Sequence, residues 1–410
     1  MEQALIKNRD FIIVGQQPWD IEIGSNCKNI ALELSKYNRV LYVNPPLDRA
    51  TKYRKHNEES VIKRLKMISG EAENLIQINP NLWNLYPDCI LESINWIKSH
   101  FLFNTFNRWN NARYAKSIQK ITAQLGFKQC ILFNDNDIFR SLYLIDFLRP
   151  KTSIYYSRDY MLGVDYWKYH GKIFEPEIIK KNDLCVSNST YLTEYCKKYN
   201  LKAYFIGQGC ELELYQSVPK ILPEGFPNNG KPMIGYSGVL WSLRLNLEIL
   251  LHIAKSKPEW NIVLIGPEDD DFKHSELHQL DNVYFMGLKE ASALPILLNA
   301  MDVCINPQQI NETTIGNYPR KIDEYLALGK PVVAVKTPAM EMFKEHTYLA
   351  DNQDDFLTKI TNALAEDNQQ KQQARIRFAL SHSWENCIQK MYTAIQASAS
   401  NLNNAESNLS

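Results

Sequence analysis

The run Tyr318-Pro319-Arg320-Lys321-Ile322-Asp323-Glu324-Tyr325-Leu326-Ala327-Leu328-Gly329-Lys330-Pro331-Val332-Val333 concentrates residue types able to do chemistry. Proline near the first turn starts a helix, Gly329 ends it and Pro331 opens a buried strand. Lys321 and Glu324 stand three apart, so they share one helical face near its amino end. A lysine beside the open amides of a helix start favours a diphosphate, and a carboxylate one turn later can accept hydrogen bonds from a ribose diol. That combination suits a sugar nucleotide. The plainer alternative for the same spacing is an ion pair on an ordinary surface helix.

The elements around this run alternate between short apolar strands and helix-length segments. Strands are predicted at 233–236, 261–265, 283–285, 303–306 and 331–335, with helices at 245–256, 294–301 and 321–328. Each strand ends in Gly, Pro or Asn or in a polar loop, which sets ligand-holding loops at the carboxyl ends of a parallel sheet. Residues 216–231, punctuated by Pro219, Pro223, Gly225, Pro227 and Gly230, read as a linker. Ahead of it, Asp10–Gly15, Asn29–Tyr37 and Arg39–Asn44 make a βαβ opening, and further strands are expected at 129–133, 153–156 and 184–187. Two α/β lobes follow, at 1–215 and 232–380. A helix at 381–396 is expected to return to the first lobe, and the Ser- and Asn-rich stretch 397–410 to be disordered.

Upstream of the lysine-glutamate run, four segments fall in order: Ile234-Gly235-Tyr236-Ser237-Gly238-Val239-Leu240, Trp260 to Pro267, Asn282 to Gly287, and Ala300 to Pro307. Together they resemble the nucleotide-sugar signature of retaining GT-B glycosyltransferases, the group 1 or family 4-like enzymes, with its Pro-x-Lys-x-x-Glu-Tyr-x-Ala-x-Gly-x-Pro-Val-Val pattern. The resemblance covers Lys231 to Ser383 well and the first lobe more loosely. It implies an α/β GT-B fold, two Rossmann-like doubly wound lobes facing across a cleft. It implies that Glu324 holds the donor ribose and that Lys321, with the loop Tyr318-Pro319, lies by the donor. The turns at Gly238 and Gly266 would approach the diphosphate, with Arg244 as the nearest basic side chain. Fixed cations and helix-end amides can neutralise a departing diphosphate, so neither a metal nor a cofactor beyond the sugar nucleotide is expected.

One position departs from the pattern. Many relatives carry a second glutamate eight residues before the ribose-binding one, where this chain has Gly316; Glu312, four residues further back, is the candidate substitute. The expected reaction is glycosyl transfer, with retention, from a nucleoside diphosphate sugar to a saccharide or lipid-linked acceptor in polysaccharide or cell-surface glycan synthesis. Two alternatives stay open: a catalytically silent GT-B binding or scaffold protein, and a nucleotide-sugar epimerase.

In the first lobe, Gly15-Gln16-Gln17-Pro18-Trp19-Asp20 and Gly24-Ser25-Asn26 form the loop after the first strand. Such enzymes admit acceptor and donor phosphates there; a plain turn with Ser25 or Asn26 capping the helix is the alternative. Asp135 and Asp159 follow strands and are candidate catalytic acids, or else loop residues facing water. Asp269-Asp270-Asp271 and the His274/His278 pair have spacings seen in metal sites, but each reads better as a helix start or a solvated helix face.

Lys+Arg and Asp+Glu balance at 46 each, which excludes a global field for nucleic acid. Eight cysteines without a C-x-x-C pair read as reduced thiols. The amino terminus lacks a signal-peptide core, and no apolar run nears the ~20 residues of a spanning helix. A cytoplasmic protein is expected, touching the inner face of a membrane only from the surface. The stretch 91–120 is the candidate contact: Trp96, Phe101, Phe103, Phe106 and Trp109 mingle with Lys98, Arg108, Arg113, Lys116 and Lys120, and Glu92 is its only acid. Such a mixture suits an interfacial helix on an anionic bilayer, or a helix that packs its aromatics inward.

Overall fold

The computed structural model describes residues 5–20 and 25–407, with side chains through 399. The chain packs as two units, Met1–Gly207 with Cys387–Ser410, and Gln208–Asn386.

The first unit is built on ten strands: β1 (Asp10–Gly15), β2 (Arg39–Val43), β3 (Leu47–Asp48), β4 (Leu75–Asn79), β5 (Leu82–Leu85), β6 (Ile90–Leu91), β7 (Ile131–Asp135), β8 (Thr152–Ser157), β9 (Leu184–Ser187) and β10 (Ala203–Phe205). Eight of them form a sheet in the order β10-β9-β8-β7-β1-β2-β5-β4. Its pairings are parallel except β4 with β5. Phe11-Ile12-Ile13-Val14 is a continuous apolar run because both faces of β1 are covered, and all four residues are buried. Chain order reverses on either side of β1, so the carboxyl ends of β1 and β7, where Gly15 pairs with Asp135, form a topological switch point.

The second unit carries β11 (Met233–Ser237), β12 (Asn261–Ile265), β13 (Val283–Phe285), β14 (Val303–Asn306), β15 (Val332–Val335) and β16 (Tyr348–Ala350), all parallel, in the order β13-β12-β11-β14-β15-β16. Alternation sorts the core: Val263, Ile265, Val332 and Ala334 face one apolar cluster, while Ile262, Leu264, Val333 and Val335 face the other. The switch point here is the crevice at the ends of β11 and β14.

Tyr215, just before the expected linker, and Phe226, within it, are buried in the same cluster as Met301 and Tyr325, and the second unit begins at Gln208. Of the stretch expected to be disordered, residues 397–407 belong to the last helix, Trp384–Ser407, and 408–410 lie outside the described residues. Ile388, Met391, Tyr392 and Ile395 supply a buried helical stripe that carries the helix onward, and Tyr392 Oη accepts a 3.0 Å hydrogen bond from Asn38 Nδ2. Among the described residues, no helix is long and apolar enough to cross a membrane.

Candidate functional site

The second unit gathers most of its expected residues at the β11/β14 switch point. The helix Arg320–Ala327 buries Ile322, Tyr325 and Leu326 and leaves Lys321 and Glu324 half-buried on its other face, as their three-residue spacing requires. Pro319 stands at its N-cap with no side-chain cap; the amides of Arg320 and Ile322 donate to the carbonyls of Tyr318 at 3.2 Å and Pro319 at 2.9 Å. Gly329 ends the helix in the left-handed region at φ +73°. The buried Tyr325 ties the helix to the sheet, its hydroxyl accepting from the amide of Ser237, at the end of β11, at 2.9 Å.

Beyond Ser237 the chain turns at Gly238, φ +144°, and β12 is followed by Gly266, φ +146°. The two turns are zipped together: Gly238 N–H donates to Ile265 O at 2.9 Å and Leu240 N–H to Pro267 O at 2.8 Å. A Cβ on Gly266 would come within 1.9 Å of the Gly238 carbonyl oxygen, so this contact requires glycine. Lys321 crosses to the same place. Its ammonium donates to Tyr236 Oη, lies 4.0 Å from the centre of that ring, and sits 2.7 Å from where a Gly238 side chain would begin. The result is a cation over a bare backbone turn, beside a helix start.

Glu324 lies one turn along, its side chain 21% exposed and 4.0 Å from Arg320 Nη2. Burial pushes its carboxyl above the usual range, opposed by Arg320, Lys321 and a hydrogen bond from Tyr215. Arg244 is exposed on the loop after β11, and its carbonyl accepts from Gln309 N–H at 2.9 Å, which fixes that loop to the one after β14. Glu312 is exposed in the β14 loop next to Asn311, whose amide donates to Leu243 O at 2.7 Å.

The Tyr318 ring is buried and its hydroxyl donates to Asp323 at 2.5 Å, so the hydroxyl braces the helix from inside. The fully buried Asp323 also takes a 2.6 Å contact from His382 Nδ1 and a thiol contact from Cys210 at 3.3 Å. This bracing network was missed, because His382 is 59 residues from Asp323 and no local spacing links them. Tyr236 was missed as a lysine partner for the same reason, although it lies within a segment that the sequence singled out. The Asp269-Asp270-Asp271 run starts a short helix, with Asp269 accepting from Phe272 N–H at 3.0 Å; His278 stacks on Phe285 and pairs with Glu268.

The first unit holds the remaining expected residues. Gly15 ends β1, and a Cβ there would meet Cys27 Sγ at 2.9 Å and Asp135 Oδ2 at 3.5 Å. Asp135 is fully buried and bound by Arg158 Nε at 2.7 Å, and burial raises its pKa against the pull of that arginine. The enclosed carboxylate orients Arg158 through one oxygen, and its Oδ2 is buried without a hydrogen-bond partner. Asp159 is the accessible partner, receiving Arg158 Nη1 at 2.6 Å with its side chain 44% exposed. Ser25 is buried and caps the helix Asn26–Leu34, accepting from Lys28 N–H, and Asn26 is the first residue of that helix, so the capping alternative describes this turn. Gly24 lies outside the described residues. A cavity of about 650 Å³, walled by Leu91, Ile94, Trp96, Phe103, Phe139 and Trp167 among others, contains none of the residues expected to be catalytic.

Comparison with known proteins follows this geometry. Residues 231–366 match the family described as Glycosyl transferases group 1. A curated relative, the "Putative teichuronic acid biosynthesis glycosyltransferase TuaH" of Bacillus subtilis (strain 168), is 28% identical over 244 residues, covering 56% of this chain. The match spans 61% of that relative's length. Among solved structures, sucrose-phosphate synthase from Thermosynechococcus elongatus aligns with a TM-score of 0.63 at 14% identity, over 98% of this chain and 100% of the other. Anabaena HepE in complex with UDP aligns with a TM-score of 0.59 at 15% identity, over 95% and 100%. These likenesses show a GT-B fold over nearly the whole chain.

Proposed function

We propose that this chain of GT-B fold, whose residues 231–366 match the family described as Glycosyl transferases group 1, transfers a glycosyl group from a nucleoside diphosphate sugar to a hydroxyl of a saccharide or lipid-linked acceptor. The observation that carries this reading is the Lys321 ammonium poised over the Gly238 turn at an uncapped helix start, with Glu324 one turn away. Diphosphate oxygens take the lysine at the positive end of the helix; the carboxylate of Glu324 accepts from the ribose diol. As the sugar departs, negative charge grows on the diphosphate, where Lys321 and the helix end stabilise it without a metal ion. Transfer proceeds with retention, as in the enzymes whose motif the chain shares.

The likeness to a teichuronic acid biosynthesis glycosyltransferase supports a role in cell-surface polysaccharide synthesis, and the UDP bound to HepE supports a uridine donor. The eight free cysteines fit a reducing compartment, and we place the activity in the cytoplasm. Gly316 favours a second reading, a binding protein without turnover, because no carboxylate occupies that position.

Thermal-shift titration with UDP, GDP and ADP, then incubation with the matching labelled sugar nucleotides, tests the proposal. Native-state binding raises apparent stability. Expected are a shift that Glu324→Ala abolishes, and donor hydrolysis or transfer. Binding without turnover selects the silent reading, an isomerised donor selects an epimerase, and a shift unchanged in Glu324→Ala refutes the ribose assignment.

A further inference from the structure

Two segments of the first unit turn large apolar side chains outward side by side. Trp96 and Phe101 are 76% and 78% exposed, and Leu102, Phe106 and Trp109 are exposed as well. Val164, Tyr166, Tyr169 and Ile173 add to them from the start of the helix Asp165–Lys181 and the residue before it. The segments touch: Asn95 Nδ2 donates to Tyr166 O at 2.9 Å, Tyr169 Oη to Lys98 O at 2.9 Å, and His100 stacks on Tyr169. None of these outward rings is needed to seat the helix His100–Gln124. Its inner face is buried through Phe103, Asn107, Asn111, Tyr114 and Ile118. The alternative that this helix packs its aromatics inward holds for Phe103 and Tyr114.

The outer face of the helix has a polarity along its axis. Residues 102, 106, 109, 113, 116 and 120 recur at intervals of four and three and form one straight row. The row reads Leu, Phe, Trp, then Arg, Lys, Lys: apolar toward the amino end, basic toward the carboxyl end. Around the basic end Arg49 joins Arg113, Lys116 and Lys120, against the acids Glu92 and Asp88, so cations are in excess. Trp and Tyr beside Lys and Arg match the boundary between acyl chains and anionic headgroups, whereas a purely apolar or purely basic surface matches neither side of it.

We propose that this surface docks the protein on an anionic bilayer, with the helix His100–Gln124 inclined so that Trp96, Phe101, Phe106 and Trp109 enter the acyl boundary while Arg113, Lys116 and Lys120 meet the headgroup phosphates. The proposal stands apart from the sugar-nucleotide reading, since no residue of the second unit takes part in it. The test uses the full chain with phosphatidylcholine vesicles that contain or lack phosphatidylglycerol, read by co-sedimentation and by tryptophan emission. Expected are binding to the anionic vesicles with a blue shift, and loss of both in the Trp96→Ser/Phe101→Ser/Phe106→Ser/Trp109→Ser variant. Lys116→Glu with Lys120→Glu, both exposed, keeps the test open if the first variant fails to fold. It should lower partitioning by about fivefold or more for each cation and leave the melting temperature unchanged. The proposal is overturned by absence of binding to the anionic vesicles, by binding that survives either variant, or by a wild-type dimer that the aromatic variant converts to monomer without any vesicle binding.

Discussion

Replacing Lys321 with Met removes the charge and keeps most of the stem, which isolates the role assigned to the ammonium. Among the described residues that ammonium contacts the Tyr236 hydroxyl and ring and acts through charge on Glu324, and Tyr236 Oη keeps a contact to Val239 O at 3.4 Å without it. Loss of the cation–π contact should therefore cost the unliganded protein about 1 kcal/mol, within the range for a partly buried pair. With a diphosphate bound, the same group makes a charge-assisted hydrogen bond of about 1.5–3 kcal/mol, so its removal should weaken UDP or GDP binding roughly 10- to 150-fold. With ligand at about 100 times its dissociation constant, wild type gains about 2.7 kcal/mol, and a variant weakened about 100-fold gains about 0.4 kcal/mol. Titration calorimetry with the nucleoside diphosphate and with the bare nucleoside separates phosphate recognition from base and ribose recognition. The diphosphate should lose most of its advantage over the nucleoside in Lys321→Met. An equal loss for both ligands, or no loss for either, would refute the placement of the diphosphate at the Gly238 turn.

Three further outcomes follow from the same geometry. Gly266→Ala puts a methyl against the Gly238 carbonyl at a φ that side chains rarely adopt, and should destabilise the second unit by about 3 kcal/mol or more in urea denaturation, with Gly230→Ala, at φ +73° but meeting nothing, as the control for backbone strain without a clash. Asp323→Ala strands the Tyr318 hydroxyl and His382 inside the core, and should cost about 3–5 kcal/mol in the same assay, whereas Asp323→Asn keeps an acceptor and costs less. Burial in the first unit raises the pKa of Glu175 from 4.5 to about 7 despite hydrogen bonds from Tyr195 and Tyr155. The folded state then holds this proton more tightly than the unfolded one. Its contribution is full below about pH 4.5 and is lost as pH rises through about 7, a change of about 3 kcal/mol. Glu175→Gln should flatten that part of the stability curve measured by denaturation from pH 4.5 to 8, and an unaltered slope would show that another group is responsible.

Local pattern was enough to establish a good deal of this protein. Apolar runs such as Phe11–Val14 and Ile262–Ile265 are legible as strands because a parallel strand is covered on both faces and needs no polar residue. The shared face of Lys321 and Glu324 follows from helical period alone, and so does the row from Leu102 to Lys120. What local pattern could not decide is which way a face looks once other elements compete for it. Period places Trp109 and Tyr114 on opposite sides of one helix, but only the packed core shows that the Tyr114 side is the buried one. Asp135 and Asp159 look equivalent as polar residues after strands, yet Arg158 encloses the first and leaves the second open. Tyr318 reads as part of a loop by the donor, and that its hydroxyl turns inward is decided by Asp323, which His382 meets across 59 residues. Contacts of that kind depend on chain segments far apart in sequence meeting in one core. The spacing of neighbours carries no information about them, and only the tertiary structure decides them.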